Sequence, residues 1–251
     1  MIEWRPETFI LLMMAPFIGS FLGVLVIRLP KNEDVVSHRS HCRSCSKSLS
    51  AIDLIPILSW VASSGKCRHC GAGLSIFYPA IEFSSIGIVI WATSTVEPEL
   101  VPLTVALGWV LLTLGCMDLR DFFLSDWLTL PLVPAGLITW WLLEPTVLWD
   151  HVAAAGAGLL LILIIDWAYR KIRGRAGLGL GDAKLMAAAG AWTGLGGIGS
   201  VLLLGVAMSA IILLCWRALN IKIAGETAVP LGTGLAAGIW LTWLYGPISL
   251  G

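Results

Sequence analysis

The chain has 251 residues, of which 57% are hydrophobic and only 13% charged, with sixteen Lys plus Arg against sixteen Asp plus Glu. Such a composition marks a membrane protein and excludes soluble, fibrous and disordered classes. A net charge of zero leaves no basic surface for a phosphate backbone, so nucleic acid is excluded as a main partner.

At roughly 20 residues per crossing, the length allows about eight helices and one modest polar insertion. The first apolar run, Thr8 to Leu29, reads as a retained helix, because a nearly uncharged stretch precedes it and no small-residue cleavage site follows. A polar segment covers residues 30–77. Further apolar runs extend from about Pro79 to Thr95, Leu100 to Met117, Trp127 to Leu143, Val152 to Ala168, Ala183 to Trp192, Val201 to Trp216 and Val229 to Tyr245. The sixth is short, with Gly177 to Gly181 before it and Gly194 to Gly199 after it.

Eight crossings put alternate loops on opposite sides, and the excess of Lys and Arg identifies the cytoplasmic one. One side collects Arg28, Lys31, Arg39, Arg43, Lys47, Lys66, Arg68, Arg120, Arg170, Lys171, Arg173, Arg175, Lys184, Arg217 and Lys222. Only Arg5 falls opposite, where the loops carry Glu97, Glu99, Glu144 and Asp150. Both termini are therefore expected outside. Trp4, Trp149, Trp167, Trp216 and Trp243 fall near helix ends, as an aromatic belt requires.

The polar segment carries HCRSC, with Cys42 and Cys45, and KCRHCG, with Cys67 and Cys70. Two C-x2-C pairs in a reducing compartment point to a closed, structural four-thiolate zinc site, against the alternative of two disulfides. His41 and His69 flank the pairs as substitute ligands, and so short a segment needs a staple. The fold expected is an all-α polytopic membrane protein, about eight transmembrane helices with a small cytoplasmic zinc-ribbon-like insertion.

Carboxylates beside apolar helices are costly and are candidates for function. In MDLRDFFLSDWLTLPL, Asp118 ends the third run, Asp121 suits a solvated turn and Asp126 suits an N-cap. In GLGLGDAKL, Asp182 follows alternating glycines. Asp166, four residues before Arg170, reads as an ordinary ion pair. Asp118 and Asp182 have no such ready structural role. Two carboxylates facing one water-filled cavity can hold a single proton between them, which is aspartyl protease chemistry.

These segments, in this order, resemble the type IV prepilin peptidases, membrane aspartyl proteases with a GxGD motif. The resemblance runs through GSFLGVLVIRLP (Gly19 to Pro30), the paired C-x2-C motifs enclosing IPILSW (Ile55 to Trp60), YPAIE (Tyr78 to Glu82), LSDWLTLPL and GLGLGDAKL. It implies Asp118 and Asp182 as the catalytic pair and a prepilin or pseudopilin substrate, cut after its basic leader at the cytoplasmic face of the bacterial inner membrane. It also implies methylation of the new N-terminus with S-adenosylmethionine as donor, and association with pilus or type II secretion machinery. Residues 1–29 are then the first transmembrane helix, 30–77 the zinc-binding insertion and 78–251 the protease helices. Gly23 departs from the family's Asn, Ser125 from its Pro, and VPLGTGLAAG from its phenylalanine-glycine-proline motif. The alternatives are a protease without methyltransferase activity, a carboxylate-lined transporter, or an inactive assembly scaffold.

Overall fold

In lipid every backbone polar group must find an internal partner, so apolar runs of this length are constrained to helix. The computed structural model describes residues 5–35, 40–175, 177–220 and 229–248. Its helices are α1 (Pro6–Arg28), α2 (Leu58–Ala62), α3 (Phe77–Thr95), α4 (Val101–Asp121), α5 (Asp126–Leu143), α6 (Leu148–Arg173), α7 (Leu180–Ala218) and α8 (Leu231–Tyr245). Among the described residues no strand forms; isolated bridges at His41 with Ser48 and Lys66 with Gly73 close two tight turns. Trp4, Arg39 and Lys222 lie outside the described residues.

Among the described residues, five helical segments have the length and hydropathy to cross a membrane: Pro6–Lys31, Pro98–Asp121, Asp126–Leu143, Pro145–Arg173 and Leu180–Ala218. The other two apolar helices, α3 and α8, have 19 and 15 residues. The chain divides into two units, residues 1–113 and 114–251, and α4 contributes to both.

In the first unit α1 packs on α3, with Gly19 set against Ser85 and the Glu82 backbone, as helices in lipid do where apolar burial gives no net drive. The Ser85 hydroxyl donates to the Ala15 carbonyl at 2.5 Å, and the Trp109 indole N–H donates to the Ser85 carbonyl at 3.1 Å. The buried Glu82 carboxylate accepts the N–H of Ile57 at 2.7 Å. Ile57 has φ 61°, an unusual value for a β-branched residue, so Glu82 fixes a strained turn at the start of α2.

In the second unit α7 lies against α5, α6 and α8. Gly190 sits on the Ala154 carbonyl and Gly234 on the Gly205 carbonyl, where a Cβ has no room. The sequence led us to expect separate helices from Ala183 to Trp192 and from Val201 to Trp216. Leu180–Ala218 holds two helices that meet at a kink at Gly194, as separate helices require, but no connecting loop lies between them. Gly196, Gly197 and Gly199 are helical. Away from competing water, a helical glycine keeps its backbone bonds and does not mark a boundary.

The break is built in detail. Gly194 has φ 69° and ψ −178°, a region open almost only to glycine. Such a break orphans carbonyls on one side and N–H groups on the other. His151 Nδ1–H donates to the Ala191 carbonyl at 3.1 Å and Trp140 Nε1–H to the Trp192 carbonyl at 2.9 Å. The Leu195 N–H donates to Asp150 Oδ2 at 2.9 Å. The His151 ring stacks on Trp140 with centroids 4.4 Å apart, so the caps also brace one another.

Candidate active site and metal centre

The second unit carries both candidate carboxylates. Asp118 lies in the last turn of α4 and is 6% exposed. Asp182 lies in the first turn of α7 and is half-buried. Both line one cavity of about 210 Å³, together with Phe122, Phe123, Leu124, Gly179 and Gly181.

Donors from α8 and from α7 itself orient the two groups. Asp118 Oδ2 accepts the Thr233 N–H at 2.6 Å. The Thr233 hydroxyl lies 2.9 Å from the Gly115 carbonyl oxygen and 3.0 Å from Asp118 Oδ2, so its one proton is shared between two acceptors. Gly232 lies directly against this carboxyl; a Cβ there would stand 3.0 Å from Asp118 Cγ and 2.9 Å from Leu124 Cδ1. Asp182 closes its own helix start: Oδ2 accepts the Gly179 N–H at 3.1 Å while its N–H donates to the Gly179 carbonyl at 3.1 Å. Gly181 packs on Leu124, with a would-be Cβ 2.9 Å from the Leu124 Cβ, so the glycine run brings the Asp182 segment tightly onto the α4–α5 connection.

Thr233 and Gly232 were not singled out from the sequence. The only signal was the run of small residues GTG after Pro230, met there merely as a departure from a family motif. Two of the other aspartates, Asp121 and Asp126, take roles that differ from those expected. Asp121 is the last residue of α4 and lies 3.5 Å from Arg120, within the helix rather than in a turn. Asp126 is the first helical residue of α5, Ser125 being the N-cap, and its Oδ1 lies 2.6 Å from Lys184 Nζ. An ion pair with a residue near Asp182 therefore replaces the expected cap. Asp166 does pair with Arg170, at 2.6 Å, and in addition accepts two backbone N–H groups.

In the first unit the two cysteine turns repeat one design. The Cys42 N–H donates to the Lys47 carbonyl and the Ser46 N–H returns to Cys42; the Cys67 N–H donates to Ala72 and the Gly71 N–H returns to Cys67. Ser46 and Gly71, each the residue after a second cysteine, both take positive φ. The four Sγ atoms lie within 4.8 Å of one another, and Cys42 Sγ is 3.9 Å from Cys70 Sγ. A tetrahedron with Zn–S of about 2.3 Å has edges of about 3.8 Å. The four cysteines are free thiols, so this donor set fits a metal ion and not the disulfide alternative. His41 and His69 are not part of the group.

The electrostatics suit a cation. Backbone N–H groups of Cys45 and Ser44 bring the Cys42 thiol down to about 6. At Cys70 the Ala72 amide pulls down, but burial and the adjoining sulfurs prevail and hold the thiol up at about 11. Sulfurs crowded in this way favour a bound metal that takes the charge. Asp53 ties the two turns together: the Ser50 hydroxyl donates to Oδ2 at 2.6 Å, Arg68 Nε lies 3.2 Å from Oδ1, and these partners hold its carboxyl below the usual range.

Residues 13–96 match the family described as the bacterial Peptidase A24 N-terminal domain, and residues 105–216 match the type IV leader peptidase family. The chain is 33% identical over 255 residues to a prepilin leader peptidase/N-methyltransferase of Aeromonas salmonicida strain A449, covering 91% of this chain and 87% of that protein. It is 35% identical over 222 residues to the protein of the same name from Burkholderia pseudomallei strain 1026b, covering 87% and 71%. The corresponding Dichelobacter nodosus protein is 32% identical over 257 residues, covering 91% and 88%. No solved structure matches significantly.

Proposed function

The chain belongs to the type IV leader peptidase family, and on that premise we propose that it is an aspartyl endopeptidase whose catalytic pair is Asp118 and Asp182. Its substrate is a prepilin or pseudopilin, cut after the basic leader at the cytoplasmic face of the bacterial inner membrane. The single observation carrying this reading is that both carboxylates line one cavity.

Such a pair holds one proton between its members. The ionised carboxylate takes a proton from water as that water attacks the scissile carbonyl carbon, and the protonated one gives its proton to the carbonyl oxygen. Collapse of the tetrahedral intermediate breaks the C–N bond: one of its hydroxyls returns its proton to the carboxylate that protonated the carbonyl, and the proton taken from water passes to the leaving amine, which restores the pair. The Thr233 donors keep Asp118 aimed while these protons move.

We read α7 as two crossings joined at Gly194, giving eight crossings with α1, α3, α4, α5, α6 and α8, and residues 30–77, which contain α2, as the insertion. Cys42, Cys45, Cys67 and Cys70 hold one zinc ion, whose closed shell supplies folding rather than catalysis. The name carried by the relatives supports methylation of the new N-terminus, with S-adenosylmethionine as donor. Glu82, the buried carboxylate within the segments that carry the resemblance, is already engaged by the Ile57 N–H. No residue is therefore assigned to the methyl donor.

Incubation of purified protein with a prepilin, followed by mass measurement, tests the assignment. Asp118→Asn and Asp182→Asn are each expected to lower cleavage by at least about 100-fold while the protein stays folded. Appreciable cleavage by either variant sinks the catalytic pair.

A further inference from the structure

Asp166 is 8% exposed near the end of α6, a burial that an ordinary exposed i,i+4 ion pair does not need. Its Oδ2 accepts Arg170 Nε–H at 2.6 Å. Its Oδ1 accepts the N–H of Gly177 and the N–H of Leu178, both at 3.0 Å. These last two donors lie beyond the helix, which ends on Gly174 with φ 70°. The other face of Gly177 is closed by Tyr169, since a Cβ at residue 177 would stand 2.5 Å from the Tyr169 ring. The segment is thus gripped between a carboxylate and an aromatic ring, both presented by α6.

Immediately after this gripped segment the chain enters α7. Gly179 is its N-cap, and Gly179 and Asp182 exchange two hydrogen bonds of 3.1 Å. From Asp166 the path runs through the backbone of residues 177 and 178 to Gly179 and then to the Asp182 carboxylate, with no free link between. Glycines at 177, 179 and 181 give this stretch more freedom to lose on ordering than any other residue type would, so a clasp is what a fixed Asp182 requires.

We propose that Asp166 is a positioning residue for Asp182: its carboxylate clasps the Gly177–Leu178 backbone and so fixes the helix start from which Asp182 reaches the cavity. The proposal rests on the reading of Asp182 as a catalytic carboxylate. Asp166 touches no reacting atom; its effect is on geometry, where a displacement of about 1 Å can cost on the order of 100-fold in rate.

The test uses the full chain in lipid nanodiscs with a purified prepilin, and reads kcat, KM and hydrogen exchange of the backbone amides over residues 177–183. Asp166→Ala is expected to lower kcat by about 10- to 100-fold with KM within about threefold, because orientation and not substrate binding is lost. Exchange at residues 177–183 should rise while the rest of α6 exchanges as before. Arg170→Gln leaves both backbone bonds in place and should keep kcat within about threefold. Asp166→Asn keeps the volume and one acceptor oxygen, so it should fall between wild type and Asp166→Ala in both readouts.

Wild-type kcat in Asp166→Ala, unchanged exchange at residues 177–183, or an equal loss in Arg170→Gln would each overturn the clasp. If Asp166→Ala does not fold, Asp166→Asn decides alone, and wild-type kcat with unchanged exchange defeats the proposal. The underlying reading fails separately: cleavage by Asp182→Asn removes Asp182 from catalysis whatever the exchange shows. An inactive Asp182→Asn beside a fully active Asp166→Ala removes only the clasp.

Discussion

Asp118 sits in the last turn of α4, yet the Thr233 N–H and hydroxyl that bond its carboxylate belong to the first turn of α8, 115 residues away. A hydrogen bond to a charged acceptor contributes about 1.5–3 kcal/mol, and each 1.4 kcal/mol lost in orienting a reacting group is about tenfold in rate. Thr233→Val keeps the backbone N–H and the branched shape but removes the hydroxyl; kcat for leader cleavage is expected to fall about tenfold, with Thr233→Ser near wild type. Gly232→Ala should be worse, on the order of 100-fold, because the added methyl would stand 3.0 Å from Asp118 Cγ and push the carboxyl from its place. Steady-state kinetics on one prepilin measures both. Equal activity of Thr233→Val and wild type would show that the hydroxyl bond serves only Gly115.

The same dependence on distant partners governs the helices, and α7 shows it best. Straight, its 39 residues would run about 58 Å, nearly twice the hydrocarbon thickness of about 30 Å. The break at Gly194 resolves that mismatch, and Asp150, His151 and Trp140 satisfy the backbone groups it frees. Gly194→Ala forces a side chain into a glycine-only conformation and places a Cβ 2.6 Å from Asp150 Oδ2, so it should destabilise by about 2–3 kcal/mol. Gly199 is helical with open space where a Cβ would go, so Gly199→Ala should be neutral or stabilising by up to about 1 kcal/mol. Thermal unfolding midpoints in detergent check the contrast, and a Gly194→Ala protein as stable as Gly199→Ala refutes the account of the break. Apolar runs and the GLGLGD glycines were legible because they are local patterns. The side-chain caps at the Gly194 break, the Lys184 partner of Asp126 and the backbone partners of Asp166 were not, because each depends on groups that only the folded chain brings together.

At the scale of the molecule, the residues with assigned chemistry fall into separate units: the four cysteines lie in residues 1–113, and both candidate catalytic aspartates in residues 114–251. A segment of under 50 residues buries too little apolar surface to hold itself, and exposed Ile52, Leu58 and Val61 show how little of it is core. A metal bound by the four cysteines would therefore carry much of its folding free energy. Purified protein is expected to contain about one zinc per chain. Cys42→Ser with Cys45→Ser leaves two thiolates, too few for a closed tetrahedral site, so zinc should be lost and the insertion should unfold while α4 to α8 keep their packing. On the proposed reading cleavage uses Asp118 and Asp182, both outside the insertion, whereas methylation is expected to depend on the segments of the first unit that carry the family resemblance. The double variant should accordingly lose methylation more than cleavage, with some loss of both if the unfolded insertion hinders substrate. Elemental analysis and product masses decide the matter together. Zinc-free protein that still yields fully methylated pilin would leave the insertion without a methyltransferase role, and wild-type protein without zinc but with four reactive thiols would remove the metal site itself.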